Sequence, residues 1–540
     1  MDSIDEKIED IRAICGAVSV SYGILHHGEV IRTRSLGYRN TEKHLSADSD
    51  TIYAIGSLSK SFLAASVGIL VSAGKLEWKT PIKDYISEFD PVHDSNIGRF
   101  ANLVDILCHS TGLADHDLLQ GGPSCQFQNS NEDSIRIINN LPAKAGGQPR
   151  FRRWWKYNNS VSSLASVTIE RVSGTSCYAD FLRENLLELL GLARTLAHQS
   201  LIMTDTNMAM PYARLQDGSH CSLQLPIMPE NSSALSCLGL WSSVNDMLSF
   251  AKHTLDAERS ENSAFSSDSV LKEMQTIRKG FHKQPSRDDF QKSCSYGMGW
   301  LRVTTPSAHL GLLSPNDNVQ KSGLDLPFIL GQRSTSLDVV MHNGRVPGYD
   351  SVLLTVPSSE TAIVVMTNGS TDGGASDWIG RILLQEVLRL QPKVDIVSLA
   401  RQEAQLSRTW FQDHVQTPLG TERFGLDSSL QQSDVCNFVG EYRNEQFGVS
   451  LYIKLAGSVI SVSFNANEKL YALTLCRPDV YTFMPSTRDQ WLRDSMIDCF
   501  DYRTSLLHFC RSADDSVEGF RWKWDGEEEV SWFSKQIVTT

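Results

Sequence analysis

Residues 53–64 read YAIGSLSKSFLA, and the run from Ser57 to Leu76 is apolar on nearly every side. That pattern predicts a helix enclosed within a domain. The i, i+3 spacing of Ser57 and Lys60 places both side chains on one helix face, about 5–6 Å apart at Cβ. A serine becomes nucleophilic when a neighbouring base removes its proton, and a lysine among apolar groups can help. The stretch therefore predicts Ser57 as nucleophile and Lys60 as its base.

A purely structural alternative stays open for these four residues. A serine that caps a helix, followed by a lysine that extends to solvent, would give the same spacing without chemistry.

Tyr157-Asn158-Asn159 stands just before the helical stretch SVSSLASVTIERVSG. A tyrosine beside a lysine can lose its proton below its usual pKa of about 10 and act as a base. An asparagine amide can bind a substrate carbonyl. A simple turn is the alternative interpretation.

His342-Asn343-Gly344 ends the predicted strand LDVVMH. An edge strand beside a nucleophile can offer a backbone N–H to an oxyanion, and a glycine there lets a substrate approach closely. A histidine at a strand end can equally be a surface residue or a satisfied core group.

The three groups occur in the order SxxK, YxN, HxG, and the chain resembles the serine β-lactamase and penicillin-binding-protein family. The match is closest to the branch of class C β-lactamases, D-aminopeptidases and esterases. It covers roughly residues 10–390, and it rests on these further segments: LVDILCHSTGL, LGLWSSVNDMLSFA, YGMGW and MHNGRVPGYDS. The C-terminal part resembles the lipocalin-like domain of several members.

The resemblance implies that Ser57 forms an acyl-enzyme and that Lys60 and Tyr157 share the work of base and acid. Asn159 would orient the acyl amide, and His342 would take the place of the lysine in KTG. The residue after Gly344 departs from the family, where it is commonly small. The resemblance puts the oxyanion hole at the backbone N–H groups of Ser57 and Arg345.

Two unusual features flank these motifs. The long cation of Arg345 would narrow the cleft or pair with a substrate carboxylate. The stretch RFRRWWKY before Tyr157 suggests a cationic and aromatic wall made by Arg152, Arg153, Trp154 and Trp155. The alternative is a cluster that packs a helix against a loop.

The expected fold is α+β. A helix and strands at the start, helices from about 102 to 190, and a strand meander with a final helix predict one antiparallel sheet flanked by helices, beside a helical subdomain. We predict a catalytic domain over 1–391 and a polar linker over 392–432. A small antiparallel β-barrel over 433–540 completes the prediction.

Composition limits the function classes. A net charge of −13 argues against nucleic-acid binding. The acidic N-terminal segment lacks a secretory signal pattern, and the longest apolar run is too short to span a bilayer, so we expect a cytoplasmic protein without membrane partners. The eleven scattered cysteines form no zinc motif. We expect no metal and no other cofactor, and the oligomeric state stays open.

Three functions follow as hypotheses. The first is a serine hydrolase that acts on an ester, amide or lactam of a small molecule or peptide. The second is an acyltransferase or cyclase of secondary metabolism that uses the same acyl-enzyme. The third is a binding protein that keeps the fold without turnover.

Overall fold

A computed structural model describes residues 2–127, 129–145, 147–261, 269–284, 293–316, 318–321, 329–422, 435–457, 459–465, 468–496, 501–524 and 530–536. None of the helices in these ranges is both long enough and apolar enough to cross a bilayer.

The larger part of the chain is built on a nine-stranded antiparallel sheet. Its strands in chain order are Ser19–His26 (β1), Glu29–Asn40 (β2), Leu45–Ser46 (β3), His282–Lys283 (β4), Cys294–Tyr296 (β5), Leu301–Thr304 (β6), Asp338–Val346 (β7), Tyr349–Val356 (β8) and Thr361–Asn368 (β9). The spatial order is β4-β5-β6-β7-β8-β9-β1-β2-β3. The strands expected at the start of the chain, β1 and β2, form a hairpin around His27-Gly28, and the predicted meander β7-β8-β9 is confirmed. Because β1 pairs with β9, the two ends of this region close one sheet.

Helices cover both faces of the sheet. The six that matter most are Asp2–Cys15 (α1), Ser59–Ser72 (α2), Asn159–Ser173 (α3), Val244–Ser260 (α4), Ala375–Val387 (α5) and Ile396–Phe411 (α6). Residues of α4 pack on one face, where Leu248 and Val244 lie directly against Gly23 of β1. The other face packs against α1, α5 and α6 in a second apolar cluster. The expected α+β class is therefore confirmed.

Shorter elements complete the helical part. The other helices are Ile82–Tyr85, Ser95–Phe100, Leu103–Leu107, Asp117–Gly121, Asn131–Asn139, Tyr178–Leu182, Gln199–Thr204, Leu235–Leu238, Met274–Arg278, Asn318–Lys321, Thr417–Glu422, Val435–Phe438 and Arg488–Arg493. Three two-stranded pairs join Tyr53–Ala54 to Trp241–Ser242, Lys144–Ala145 to Gln148–Pro149, and Tyr212–Arg214 to His220–Ser222.

Most of the residues that we predicted as a linker, 396–422, are helical. Helix α6 begins after Asp395, whose carboxylate accepts the backbone N–H of Ser398, and it packs against α1. A short helix, Thr417–Glu422, follows. The predicted linker residues 423–432 lie outside the described residues.

The C-terminal part is a nearly closed barrel, as the family resemblance implied. Its strands are Gly440–Asn444 (β10), Val449–Ala456 (β11), Val459–Phe464 (β12), Tyr471–Ala472 (β13), Thr474–Arg477 (β14), Val480–Thr482 (β15), Leu506–Arg511 (β16), Val517–Trp522 (β17) and Ser531–Lys535 (β18). The order β13-β12-β11-β10-β18-β17-β16-β15-β14 ends on two strands that Leu473 alone separates in sequence. Stacked and edge-on aromatic rings, such as Phe520 on Phe533, fill the interior.

The barrel packs directly on the helical part. The Asn465 side chain donates to the Gln120 carbonyl at 3.0 Å, and the Ser124 and Tyr471 hydroxyls lie 2.5 Å apart. A side chain at Gly122 would contact the Phe464 ring. These contacts place the barrel against helix Asp117–Gly121.

Candidate active site

Ser57 lies in a one-turn 3₁₀ helix, Gly56–Leu58, that leads into α2. Gly56 has a φ of +53°, and a Cβ there would lie 2.6 Å from the backbone nitrogen of Arg345, so only glycine fits. Ser57 is partly exposed while residues 51–56 and 58–60 are buried. The predicted helix is shorter than expected, because α2 ends at Ser72 and Gly74 adopts a positive φ.

Lys60 is held by three acceptors. Its side chain is 1% exposed, and Nζ donates to Ser57 Oγ at 3.1 Å, Asn159 Oδ1 at 2.6 Å and the Cys237 carbonyl at 3.1 Å. An ammonium group has three donors, so this set matches it completely. The predicted contact between Ser57 and Lys60 is therefore present, and Lys60 does not extend to solvent.

The Tyr157 ring packs against the Lys60 amine. The Lys60 Nζ is 4.9 Å from the centre of its ring. Its hydroxyl is buried and has no hydrogen bond of good geometry among the described residues. Burial raises the pKa of the phenol, while the adjacent Lys60 ammonium and Ser57 hydroxyl act to lower it. Hydroxyl, amine and phenol thus meet within one pocket.

Asn159 links Lys60 to a carboxylate. Its Oδ1 accepts from Lys60, and its Nδ2 donates to Asp117 Oδ2 at 2.5 Å. The amide orientation is fixed by these two charged partners, because only the oxygen can accept and only the nitrogen can donate. Sequence reasoning missed Asp117, since no spacing rule connects it to Asn159, 42 positions later.

His342 is neutral and buried behind the lysine. Its Nδ1 lies 2.5 Å from the Asn343 carbonyl, which can only accept, so Nδ1 carries the proton. Its Nε2 therefore accepts the Tyr296 hydroxyl at 2.8 Å. Burial and the Lys60 charge lower the pKa of His342 to about 3. Unlike the lysine of KTG, this residue brings no positive charge to the site.

Gly344 and Arg345 lie where β7 passes the nucleophile turn. A Cβ on Gly344 would lie 1.9 Å from the Ile55 carbonyl oxygen, so the turn itself requires glycine here. This is a reason that the sequence argument, based on substrate approach, did not include. The Arg345 backbone lies against Gly56, next to the Ser57 amide, and the residue pairs across the sheet with Asp350.

A buried histidine, His109, supports Tyr157 and was not predicted as a site residue. It follows helix Leu103–Leu107 with a φ of +61°, and its ring centre is 4.2 Å from that of Tyr157. Its Nδ1 accepts the Asn158 backbone N–H at 3.2 Å. Burial, Lys60 and His342 lower its pKa well below the usual value. The stretch LCHSTGL was its only signal in sequence.

The predicted wall at residues 152–155 does not line the site. Arg152 forms an ion pair with Asp105 at 2.6 Å, and Trp154 is 57% exposed. Trp155 packs near His109 and Tyr296 from behind. The cluster therefore packs loop against helix, as the alternative interpretation held.

Ser57, Tyr157 and Asn159 line a cavity of about 770 Å³. Strand β7 pairs with β6 only as far as Met341, and the next residues of β7, 342–346, also line the cavity. Helix α6 and the barrel contribute further lining residues: Ser407, Trp410, Phe411, Arg488, Trp491, Asp501, Thr504 and Trp524. The barrel thus lines the same cavity as Ser57, a role that the sequence did not reveal.

A Beta-lactamase family model matches residues 4–386 of the chain. The chain belongs to the Beta-lactamase family. The chain is 24% identical over 358 residues to a curated relative, unguisins hydrolase ungD of Aspergillus violaceofuscus. The aligned region covers 63% of this chain and 56% of the relative. The chain is 21% identical over 352 residues to penicillin-binding protein 4* of Bacillus subtilis, with 64% and 67% covered.

The match spans little more than half the length of the unguisins hydrolase. Two solved structures share the Beta-lactamase fold. The octameric penicillin-binding protein homologue from Pyrococcus abyssi gives a TM-score of 0.54 at 18% identity and covers 99% of both chains. The class C beta lactamase from Rhodobacter sphaeroides gives 0.54 at 20% identity, with 72% of this chain and all of that one covered.

Among the described residues, one group of three side chains could hold a metal ion: Cys177, Asp180 and His198. Asp180 already accepts from His198 Nε2 at 3.0 Å, and the Arg183 guanidinium lies 4.0 Å away. None of the three lines the cavity around Ser57. The cluster is explained by these hydrogen bonds and charges.

Proposed function

We propose that the protein is a serine hydrolase that cleaves an ester, amide or lactam bond through an acyl-Ser57 intermediate. The observation that carries this proposal is the 3.1 Å contact between Lys60 Nζ and Ser57 Oγ, with the Tyr157 phenol beside both. A nucleophile with an adjacent base and convergent donors is the arrangement that acyl transfer requires.

In the proposed first step, Ser57 Oγ attacks the substrate carbonyl carbon. For this step the Lys60–Tyr157 pair carries one proton fewer than an ammonium with a phenol. It takes the Ser57 proton as the new C–O bond forms, and it returns that proton to the leaving oxygen or nitrogen as the scissile bond breaks. The backbone N–H groups of Ser57 and Arg345 stabilise the oxyanion. Water then attacks the acyl-enzyme by the same route in reverse and regenerates Ser57.

Asn159 and His342 hold this machinery in place. Asn159 orients Lys60 and leaves one amide hydrogen for the acyl group, because only one of its two N–H bonds meets Asp117. Neutral His342 accepts from the Tyr296 hydroxyl and adds no charge to the pocket. We assign the catalytic role to residues 1–391, close to the range of the family match, with 392–432 and 433–540 as linker and barrel domain.

The relatives support a hydrolase acting on small molecules or peptides. Their names include an unguisins hydrolase, a penicillin-binding protein and esterase EstB of Burkholderia gladioli, which is 25% identical over 181 residues. Acyl transfer or cyclisation is the second candidate. The cavity volume of about 770 Å³ favours it, since an alcohol or amine has room beside an acyl group.

Intact-mass analysis after exposure to small esters, thioesters and β-lactams tests the proposal. We expect the wild type to gain one acyl mass that Ser57→Ala does not gain. Ser370→Ala, which removes another hydroxyl from the cavity lining, should still be labelled. Labelling that persists in Ser57→Ala would overturn the assignment. Acceptors added to the acyl-enzyme then separate transfer from hydrolysis.

A further inference from the structure

Four aromatic side chains form one part of the cavity lining, the barrel-side wall. Trp410 and Phe411 come from the end of α6, Trp491 from helix Arg488–Arg493, and Trp524 from the segment after β17. The ring centres of Trp410 and Phe411 lie 6.0 Å and 5.9 Å from that of Trp491. The barrel-side wall thus joins α6 to the barrel.

The wall is fixed to the catalytic region by charged contacts. Arg488, one turn before Trp491, donates to Asp372 at 2.6 Å, and Arg408 of α6 donates to the same carboxylate at 2.8 Å. The Asp489 carboxylate accepts the backbone N–H of Gln216 at 2.8 Å. Because both sides are anchored on the catalytic region, the wall is preorganised for binding.

Trp491 carries an unused hydrogen-bond donor. The residue is 7% exposed, and its indole Nε1 has no acceptor among the residues that the structure describes. The neighbouring barrel tryptophans differ, since Trp522 donates to the Thr504 carbonyl at 2.7 Å and Trp524 to Ser531 Oγ at 2.9 Å. A buried donor without a partner is costly to the folded state. This nitrogen has less than 1 Å² of accessible surface, so Trp491 lines the cavity through its other atoms.

We propose that the barrel-side wall binds an aromatic group of the substrate. Flat aromatic rings offer an aromatic ligand edge-on and offset contacts. The substrate class is therefore an ester, amide or lactam that carries an aromatic group, such as an aromatic residue within a peptide. This inference rests on the proposed function, because the wall and Ser57 line the same cavity.

The test compares p-nitrophenyl esters of N-acetylphenylalanine and N-acetylglycine, which share the amide and differ in the ring. We expect the wild type to prefer the phenylalanine ester in kcat/KM. Trp491→Ala should reduce that preference about tenfold or more, mainly through KM, as loss of a hydrophobic pocket contact does. Trp491→Phe, which keeps an aromatic ring in the wall, should keep the preference for the phenylalanine ester.

Trp532→Ala is the matched control, because Trp532 belongs to the barrel but is 41% exposed and does not line the cavity. It should keep the wild-type preference. If Trp491→Ala does not fold, as judged by circular dichroism, Trp410→Ala carries the test. An unchanged preference in folded, active alanine variants of the wall would overturn the inference and leave the proposed function intact.

Turnover that survives in Ser57→Ala would instead refute the proposed function. If the wild type cleaves none of the esters, fluorescence titration of Ser57→Ala decides the inference. N-acetylphenylalanine should bind at least tenfold more tightly than N-acetylglycine, and Trp491→Ala should abolish the difference. Equal affinities in Ser57→Ala would overturn the inference.

Discussion

Two sides of one cavity differ in how their polar groups are used. On the nucleophile side, formed by Ser57, Lys60, Tyr157 and Asn159, the lysine meets three acceptors and the asparagine meets two charged partners. On the barrel-side wall, aromatic rings meet one another, and the Trp491 N–H has no partner in the described ranges. We propose that the first side transfers protons and that the second selects what is bound.

The difference has an energetic consequence. Removing Lys60 or Asn159 from the buried hydrogen-bond network leaves its partners unpaired, which costs more than the lost bond. Removing one ring from an apolar wall mostly loses contact area. Substitutions on the nucleophile side should therefore lower kcat, whereas wall substitutions should raise KM.

Lys60→Ala and Tyr157→Phe should have the largest effect. Each removes one of the two groups proposed to move the Ser57 proton, so kcat should fall on the order of 10²–10⁴-fold. Initial-rate kinetics on a chromogenic ester measure this. Lys83→Ala, a surface lysine paired with Asp90 at 2.9 Å, serves as control. Near-normal turnover in either site variant would contradict the assigned roles.

Gly344→Ala should separate the two backbones that we propose form the oxyanion hole. The new Cβ would lie 1.9 Å from the Ile55 carbonyl oxygen and 2.5 Å from Ser351 Oγ, so β7 or the nucleophile turn must shift. We expect a loss of about 2–4 kcal/mol in unfolding free energy, in the range of overpacked buried sites, together with a fall in kcat. Urea unfolding and ester kinetics give the two values.

Gly420→Ala is the control for this substitution, because nothing lies within 4 Å of a Cβ there and the residue is helical. Its stability should stay near that of the wild type. If Gly344→Ala matched the control in both measurements, the close passage of β7 and the turn would not matter for function.

Asp117→Asn should have a moderate effect. Asp117 acts through Asn159, so we treat it as a positioning residue, and kcat should fall about tenfold. Loss of a nearby negative charge weakens proton binding in the pocket, so the acid limb of the rate profile should move to lower pH. A purely structural role would not move that limb. The exposed Asp84, replaced by Asn, should leave both rate and profile unchanged.

The sequence predicted those parts of the fold that depend on local contacts. The hairpin β1-β2, the meander β7-β8-β9 and helix α3 with its glycine cap follow from periodicity and turn residues. Short strands such as β4 to β6 carry too few residues for a period-2 pattern. The packing of α6 on α1 joins residues almost 400 positions apart, which no local pattern encodes.

The residues of the candidate site also differ in whether a local sequence pattern predicts them. Ser57 and Lys60 were predicted because a single helix turn sets their spacing, and the Tyr157 and His342 motifs were recognisable as triplets. Asp117, His109 and Tyr296 enter the site only through contacts 40 to 50 positions apart in sequence. The barrel lining depends on the Arg488–Asp372 contact across 116 positions.

The smallest expected effect concerns acid stability of the nucleophile side. His109, His116 and His342 are each about 1% exposed, and burial lowers their pKa, to about 3 for His116 and His342. Their folded pKa lies below the unfolded value near 6.5. Stability from these groups is therefore present above pH 6.5 and lost as pH falls toward 3, because only the unfolded chain binds the protons.

His116→Leu isolates one of the three, since neither ring nitrogen of His116 has a partner among the described residues. Each such histidine should cost about 1.4 kcal/mol per pH unit below the unfolded pKa. Between pH 7.5 and 5.5 the variant should therefore lose about 1.4 kcal/mol less unfolding free energy than the wild type, measured by urea titration. Replacing exposed His44 with Asn should leave the wild-type difference in place. A variant with the full wild-type loss would place the acid sensitivity elsewhere, in the barrel or its aromatic wall.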